Sequence, residues 1–259
     1  MADLDAPSTT AERREALQRK PLLRRIYADW YARLRQALPP EEGPVVEVGT
    51  GPGFLKQVLP EAIATDLIPG PHLDVVLDAC CLPFAGGCLR AVLMTDVLHH
   101  IPRPRAFLAE AARCVRAGGV LAMIEPWVTP WSGFVYARVA HEPFQPRAAQ
   151  WEFAPGGPLS QANTALPWIL FSRDRATFEA EYPMWRIDAV QPFMPLLYIL
   201  SGGFSYPPLV PAATYGLWAR LERWLARWAD RLAMFACIVL RRIEAPDQGG
   251  ARFVLTLPA

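Results

Sequence analysis

The stretch from residue 43 to residue 54, GPVVEVGTGPGF, constrains the fold more than any other part of this chain. A short apolar run ends there in a turn with glycine at positions 49, 51 and 53, and a segment with helical spacing follows. Glycine tolerates positive φ and lets the backbone approach a ligand closely. A strand, a glycine-rich turn and a helix form the arrangement in which α/β proteins bind nucleotide-like ligands. The stretch therefore predicts an α/β fold with a ligand site at this turn.

Apolar runs and helical segments alternate along the rest of the chain. The strand candidates after VVEV are AIATD, LDVVLD, LRAVLMT, VLAMIEP, WRIDAVQPF and AMFACIVLRRI. Apolar strands separated by helices favour a parallel sheet that is covered on both faces. Only residues 67–72 separate the second strand from the third, whereas a parallel crossover usually needs about a dozen residues or more. Either the third strand is rudimentary, or a loop replaces the usual helix there.

These patterns divide the chain into four segments. Residues 1–40 form an N-terminal helical cap, broken near Pro21, and residues 41–126 form the ligand-binding core. Residues 127–172 form an irregular insertion rich in tryptophan, proline and other aromatic residues. Residues 173–259 complete the sheet, with an apolar and helical insertion at about 193–232 and a candidate edge strand, RFVLTL, near the C-terminus.

The composition argues against several kinds of partner and site. With 26 basic and 25 acidic residues, the net charge of +1 gives no reason to expect a nucleic acid as partner. The N-terminus lacks the basic and apolar stretches of a secretory signal. The five cysteines form no CxxC pair and their number is odd, which argues against a disulfide framework or a zinc site. We expect a cytoplasmic protein with free thiols and no metal site.

The glycine turn itself leaves more than one adenosine ligand open. A phosphate-binding loop needs Lys and then Ser or Thr after its last glycine, whereas Phe54 and Leu55 follow Gly53 here. A dinucleotide fingerprint would place its third glycine at position 54, so the match to it is partial. Asp66 ends the second strand nineteen residues after Glu47, where a carboxylate accepts the hydroxyl pair of a ribose. NAD and other adenosine ligands share this last feature.

Four motifs, in order, resemble those of the class I S-adenosylmethionine-dependent methyltransferases, in particular their small-molecule, type 11-like domain. EVGTGPGF, with TD ending nineteen residues after Glu47, is similar to the first two motifs, and LDACCLPF is similar to the D-A-x-x-L-P-F segment. TDVLHHI followed by AARCVRAGGVLAMIEP resembles the fourth strand, the next helix and the fifth strand. The resemblance implies a doubly wound, Rossmann-like, mostly parallel sheet with a final antiparallel strand and helical or irregular lid insertions. It also implies S-adenosylmethionine as the cofactor.

The same resemblance assigns roles to residues of the core. Glu47 would orient the glycine loop or the amino group of the ligand, and Asp66 would bind the ribose. Asp78 would meet the adenine edge, and Thr95 would lie beside the sulfonium. The expected cofactor-binding residues are Glu47, Gly49, Thr50, Gly51, Gly53, Asp66, Leu67, Asp78, Ala79 and Thr95.

Methyl transfer asks a protein mainly for alignment and for exclusion of water, because the sulfonium already carries an activated methyl group. A hydroxyl nucleophile also needs a base within hydrogen-bond reach. Among the histidines, His72 is expected to be solvated, while His100 follows the fourth strand and His141 heads the segment HEPF. We take His100 and His141 as candidates for the base or for contact with the acceptor, although His99 and His100 also suit packing roles. Glu125 either touches substrate or bonds backbone.

The uncharged stretch from residue 189 to residue 219 is interrupted by five prolines, so we reject a membrane-spanning helix there. The helix that follows has one apolar face, which consists of Leu217, Leu221, Trp224, Leu225 and Trp228. That face either packs on the sheet or rests, with the basic N-terminal helix, on an anionic membrane surface.

We expect the insertions to fold over the carboxyl edge of the sheet as an aromatic lid that includes Trp127, Trp131 and Trp151. The acceptor is then small, largely apolar or lipid-like, and methylated on oxygen or carbon. Two other functions stay open: a cofactor-binding partner protein that has lost turnover, and an NAD-dependent oxidoreductase, which Phe54 disfavours.

Overall fold

The computed structural model describes residues 5–139, 142–154, 156–157 and 161–244 of the chain. At its centre lies one sheet with the strands β1 (Val45–Val48), β2 (Ala62–Asp66), β3 (Val75–Val76), β4 (Leu89–Thr95), β5 (Val115–Pro126), β6 (Trp185–Phe193) and β7 (Phe235–Arg242). The strand order is β3-β2-β1-β4-β5-β7-β6. Strands β1 to β5 are parallel, whereas β7 runs antiparallel to β5 and to β6. This confirms the predicted doubly wound, mostly parallel sheet with a final antiparallel strand.

Helices flank the sheet on both faces. They are α1 (Pro7–Arg19), α2 (Pro21–Gln36), α3 (Pro104–Cys114), α4 (Pro130–Val139), α5 (Leu166–Trp168), α6 (Arg175–Glu181), α7 (Leu197–Ser201), α8 (Tyr215–Leu225) and α9 (Ala229–Leu232). A π-helical turn, Ile169–Arg173, joins α5 to α6. The break predicted near Pro21 is present between α1 and α2.

One face of the sheet is covered mainly by α2. Leu23, Ile26, Trp30 and Leu34 of this helix are fully buried and belong to one apolar cluster with alternate residues of the strands. The opposite face is covered by α3 and α6, whose Phe107 and Phe178 are fully buried. This three-layer arrangement leaves the carboxyl ends of the parallel strands free to form a site.

The connection between β2 and β3 is a loop, and β3 has only two residues. Asp74 holds this loop, because its Oδ2 accepts a hydrogen bond from Ala64 N at 2.8 Å and its carboxylate pairs with Lys56 at 2.7 Å. Both features predicted for this region, a rudimentary strand and a missing helix, are therefore present. The side chain of Val76 is 52% exposed, so this edge of the sheet faces solvent.

Two parts of the insertions differ from the simplest interpretation of their sequence. The segment after β5 is not wholly irregular, because residues 130–139 form α4. The apolar face assigned to α8 does not pack on the sheet: Leu217 is 65% exposed and Trp224 is 54% exposed. The helix instead contacts the core through Tyr215 and Trp218. A heptad-like pattern shows which residues share a face, but the neighbouring elements decide which face is covered.

None of the helices in the described ranges is long and apolar enough to cross a membrane. All five cysteines are free thiols, as expected. The candidate edge strand RFVLTL lies outside the described residues.

Candidate functional site

A cavity of about 880 Å³ opens at the carboxyl ends of β1, β2 and β4. The strand order reverses here, because β1 lies between β2 and β4, and this is where open α/β sheets bind ligands. Of the residues expected to bind the cofactor, those that line the cavity are Gly49, Thr50, Gly51, Asp66, Leu67, Asp78, Ala79 and Thr95. The other two, Glu47 and Gly53, lie behind this wall, where they shape the glycine loop.

The glycine loop fits tightly between the sheet and α2. Gly49 has φ +70°, and a Cβ there would lie 2.5 Å from the side chain of Val97. A Cβ on Gly53 would lie 2.4 Å from the hydroxyl oxygen of Tyr31 and 2.8 Å from the carbonyl of Thr50. Both positions therefore require glycine. Gly49 is required by its positive φ and by the contact with Val97, and Gly53 is required by the contacts with Tyr31 and Thr50.

Two carboxylates hold this loop in place. Asp66 accepts hydrogen bonds from Gly51 N at 2.7 Å and from Ile68 N at 2.9 Å. Glu47 accepts one from the hydroxyl of Thr50 at 2.9 Å, and burial raises the pKa of Glu47 to about 7. Of the two roles left open for Glu47, the contact seen is with the loop. Each Asp66 oxygen keeps a lone pair for a hydroxyl in the cavity.

His72 also contacts the loop, so the expectation that it is solvated is wrong. Its Nε2 lies 2.8 Å from the carbonyl oxygen of Gly51 and donates to it, since a carbonyl only accepts. The residue comes from the loop that replaces the usual helix after β2, and this loop brings the imidazole back over the glycine turn.

A buried hydroxyl at the end of β4 lacks a partner. Thr95 Oγ1 forms no hydrogen bond within the described part of the chain, although Thr95 lines the cavity. A buried polar atom without a partner is costly in a folded protein. Together with the glycine cradle and the spare lone pairs of Asp66, this orphaned hydroxyl fits a polar ligand bound against β1, β2 and β4.

The opposite wall of the cavity carries a cluster of charged and titratable groups. His100, Glu142 and Asp96 all line it, and His99 lies behind them with none of its surface exposed. His99 Nδ1 is 2.8 Å from Glu125 Oε2, and Glu125 Oε1 also accepts hydrogen bonds from Val97 N and Leu98 N. Of the two roles left open for Glu125, the contacts seen are with backbone and with His99.

The environment shifts the pKa values of this cluster in different directions. Burial raises the pKa of Asp96 to about 7. Burial and then the charge of His99 lower the pKa of His100 to about 4. Burial opposes a charge on His99, but Glu125 and Glu142 outweigh it and raise its pKa well above the usual value. At neutral pH, His100 is therefore a neutral imidazole and Asp96 is poised to exchange a proton.

The structure brings together only part of the predicted catalytic set. His100 lies in the cavity wall, whereas His141 lies outside the described residues. Asp96 and Glu142 also line the cavity and were not among the residues predicted from the sequence. Asp96 sits in TDVLHHI beside Thr95 and has φ +63°, a conformation rare for a non-glycine residue. Asp96 lies in that motif and Glu142 lies in HEPF, next to His141, so both segments stood out in the sequence, but no pattern within either one indicates that they meet.

The aromatic wall of the cavity is built from tyrosine and phenylalanine rather than tryptophan. Trp127 and Trp151 are buried in the core beneath α3, and Trp131 stacks on Phe134, so none is among the residues that line the cavity in the described part of the chain. The prediction of a lid made of these tryptophans is wrong. The aromatic residues that line the cavity include Tyr27, Tyr136, Tyr198, Phe204 and Phe235.

Comparisons with known proteins agree with this geometry. Residues 46–123 match the family profile described as a methyltransferase domain. One chain of the complex between the Haloferax volcanii Trm112 methyltransferase activator and a methyltransferase is similar in structure, with a TM-score of 0.54 and 14% identity over 92% of this chain and 96% of the other. No curated protein matches the chain in sequence.

Two methyltransferases of geranyl diphosphate are also similar in structure. The C-methyltransferase from Streptomyces coelicolor A3(2), solved with Mg²⁺, geranyl diphosphate and S-adenosyl-L-homocysteine, gives a TM-score of 0.51 and 12% identity over 85% of this chain and 81% of the other. A geranyl diphosphate methyltransferase in complex with SAM gives a TM-score of 0.51 and 13% identity over 85% of this chain and 87% of the other. At these identities the likeness shows the fold.

Proposed function

The chain belongs to the class I S-adenosylmethionine-dependent methyltransferases, and we propose that it methylates a small, largely apolar acceptor held in the cavity. The composition of two walls of the cavity supports this proposal. One wall has the glycine loop, Asp66 and the orphaned hydroxyl of Thr95; the other has tyrosine and phenylalanine rings. A polar subsite beside an apolar one suits a charged donor and an apolar acceptor.

S-adenosylmethionine is the cofactor, and the residues of the first wall fit it. Asp66 would take the ribose hydroxyls, Asp78 with Ala79 the adenine edge, and Thr95 the sulfonium end. When bound, the cofactor supplies an activated methyl group, so the protein contributes alignment and a dry site.

The N-terminal helices hold part of the apolar wall in place. Lys20, between α1 and α2, donates hydrogen bonds to the carbonyl oxygens of Gly203 and Tyr206, both at 2.7 Å. Tyr27 of α2 meets Phe204 edge to face, with ring centroids 5.9 Å apart. These contacts fix the apolar segment after α7 above the cavity, where it would shield an acceptor from water.

Asp96 and His100 face the acceptor in this proposal. A base works best with a pKa near the working pH, which favours Asp96 over His100 as the group that takes a proton. The neutral imidazole of His100 would accept a hydrogen bond from the acceptor and orient it. His141 stays a candidate from the sequence alone.

We expect Asp96→Asn to lower kcat at least about 100-fold, the lower end of what a general base contributes, while the dissociation constant of S-adenosylhomocysteine changes less than about threefold. The assay follows radiolabelled methyl transfer to hydrophobic phenols, fatty acids and geranyl diphosphate. His100→Gln and His141→Gln are measured in parallel, and unchanged turnover in a variant removes that residue from the mechanism. Normal cofactor binding with no transfer to any acceptor would instead favour the partner protein that has lost turnover.

The NAD-dependent alternative receives no support from the loop, because Phe54 occupies the position of the third glycine.

A membrane surface as the source of a lipid-like acceptor is favoured by the surface around α8. Leu209, Leu217 and Trp224 are 64%, 65% and 54% exposed. The rings of Trp224 and Trp228 lie 4.8 Å apart, with the guanidinium of Arg227 over both. Arg220, Arg223 and Arg231 of the same segment are exposed as well. Exposed tryptophan and leucine beside arginine are typical of segments that rest on anionic lipid.

We expect the chain to co-sediment with phosphatidylglycerol vesicles at low salt and to be released at high salt. The pair Leu217→Ala and Trp224→Ala should abolish most of this binding, since both side chains would enter the interface. Val76→Ala, an equally exposed apolar residue at the far edge of the sheet, serves as the control. Equal sedimentation of the pair and the control would contradict a membrane role for α8.

A further inference from the structure

Three side chains converge at one point on the wall of the cavity: His99, His100 and Glu142. One potential ligand atom from each lies within 4.8 Å of the other two. His99 Nε2 is 3.3 Å from Glu142 Oε2, and His100 Nε2 is 3.7 Å from Glu142 Oε1. Within the described part of the chain, His99 Nε2 has no hydrogen-bond partner, and the second separation exceeds hydrogen-bond length. Glu142 therefore lies at ion-pair distance from both Nε2 atoms.

The other nitrogen of each ring is fixed by a hydrogen-bond acceptor. His99 Nδ1 lies 2.8 Å from Glu125 Oε2 and His100 Nδ1 lies 3.1 Å from the carbonyl oxygen of Gln161. A carboxylate and a carbonyl only accept, so each Nδ1 carries the hydrogen. In the neutral rings, Nε2 is then the atom with the lone pair, and in both rings it points at Glu142. Histidines that bind metals are oriented in this way, by a carboxylate or carbonyl on the second nitrogen.

Two imidazole lone pairs that face a carboxylate repel it unless a cation lies between them, and that cation is either a proton on His99 Nε2 or a metal ion. Water does not resolve this, because His99 is fully buried and its Nε2 has no accessible surface. The donor set is two imidazole nitrogens and one carboxylate oxygen, which is the set of open zinc sites and of related divalent transition-metal sites. With zinc–ligand distances of 2.0–2.1 Å, tetrahedral ligand atoms are about 3.3 Å apart, so only small side-chain rotations are needed.

We propose that His99, His100 and Glu142 bind a divalent transition-metal ion, preferably Zn²⁺, whose open coordination position faces the cavity. His100 and Glu142 both line the cavity, close to Thr95 and Asp96. The Glu125 carboxylate is the positioning group behind His99, and the Gln161 carbonyl has the same role behind His100. The cysteine pattern argued against a metal site in the sequence, but this site uses no cysteine and joins two adjacent histidines to Glu142, which lies 42 positions after the second of them.

The open position assigns a chemical class to the acceptor, and this step rests on the proposed methyl transfer. An oxygen of the acceptor would complete the coordination, as water or substrate does in open zinc sites. Acceptors with a hydroxyl or phenol oxygen next to an apolar body would then be preferred over hydrocarbons. His100 would be a metal ligand in this arrangement, which leaves Asp96 to take the proton.

The competing occupant of the site is a proton on His99 Nε2. His99 would then be an imidazolium between Glu125 and Glu142, and the chain would have no special affinity for metal. The two states differ in a direct measurement, because one takes up zinc and the other does not.

The test is calorimetric titration of the full-length, tag-free chain with Zn²⁺ after dialysis against a chelator. We expect saturation at one ion per chain, and about 100-fold weaker binding in Glu142→Gln and in His100→Gln. His72→Gln removes a histidine that is not a ligand and should bind Zn²⁺ like the wild type. Circular dichroism checks that each variant is folded. No saturable binding by the wild type, or equal binding by folded Glu142→Gln and His100→Gln, would overturn the site.

The open position is tested with Co²⁺ in place of Zn²⁺ and acetohydroxamate, a chelating oxygen ligand, as the probe. The visible spectrum of the bound Co²⁺ should shift when acetohydroxamate is added, whereas an unchanged spectrum would overturn the open position. The metal titration contains no S-adenosylmethionine. Metal binding without cofactor binding would therefore contradict the proposed function and support the metal site. Cofactor binding without metal binding would support the proposed function and overturn the metal site.

Discussion

Replacing Asp66 with alanine should weaken the binding of S-adenosylhomocysteine by about 100-fold or more. The carboxylate of Asp66 holds the glycine loop through Gly51 N and its own loop through Ile68 N. By the family resemblance it also takes the ribose hydroxyls. Hydrogen bonds to a charged group contribute about 1.5–3 kcal/mol each, and a loss of about 3 kcal/mol corresponds to about 100-fold in affinity. Calorimetry on the folded variant measures this directly.

Two further variants separate ligand contact from loop stability. Asp66→Asn keeps one oxygen for Gly51 N and should give an intermediate affinity. Asp74→Asn weakens the same loop between β2 and β3, because Asp74 accepts from Ala64 N and pairs with Lys56, but Asp74 does not line the cavity of the described chain. It should change the affinity less than about threefold. Unchanged affinity in Asp66→Ala would refute the placement of the ribose.

Replacing Glu125 with alanine should cost about 3–5 kcal/mol of folding free energy, the largest stability effect that we expect from one side chain. Glu125 is fully buried and accepts from Val97 N, Leu98 N and His99 Nδ1, all within 2.9 Å. Each buried donor left without a partner costs about 1–3 kcal/mol. A chain of this size loses about 2–4 °C in Tm per kcal/mol, so thermal unfolding should shift by about 10 °C.

The controls for Glu125 vary the chemistry and the position. Glu125→Gln retains one oxygen for the two backbone donors and should lose about half as much stability. Glu179→Ala removes an exposed carboxylate paired with Arg175 and should change stability by about 0.5 kcal/mol or less. A Glu125→Ala variant as stable as Glu179→Ala would show that the buried network does not stabilise the fold.

The parts of the site that are local in sequence could be predicted, and the parts assembled from distant segments could not. The glycine loop and Asp66 lie at the ends of two apolar strands, so their spacing is enough to place them at one edge of the sheet. Tyr27 and Tyr198 are 171 positions apart, and both face the cavity only because α2 and α7 pack together. No pattern within either segment indicates this contact.

The same limit applies to the lid. The insertion is rich in aromatic residues, as its sequence indicates, but Trp127 and Trp151 are buried in the core while smaller aromatic rings line the cavity. A large apolar side chain contributes most to folding free energy where it is completely buried, and Trp127 and Trp151 are buried in the core that includes α3. Similarly, α8 has an apolar face in the sequence, but Tyr215 and Trp218 on another side contact the core. Which face packs depends on neighbours that periodicity does not describe.

We propose that the cavity at the ends of β1, β2 and β4 holds S-adenosylmethionine against the glycine loop. Calorimetry of the wild-type chain with S-adenosylhomocysteine, S-adenosylmethionine and NAD tests it most directly. We expect one site for the first two ligands, with tighter binding of S-adenosylhomocysteine, and no measurable heat of binding for NAD. Saturable binding of NAD with none of the two sulfur-containing ligands would contradict it.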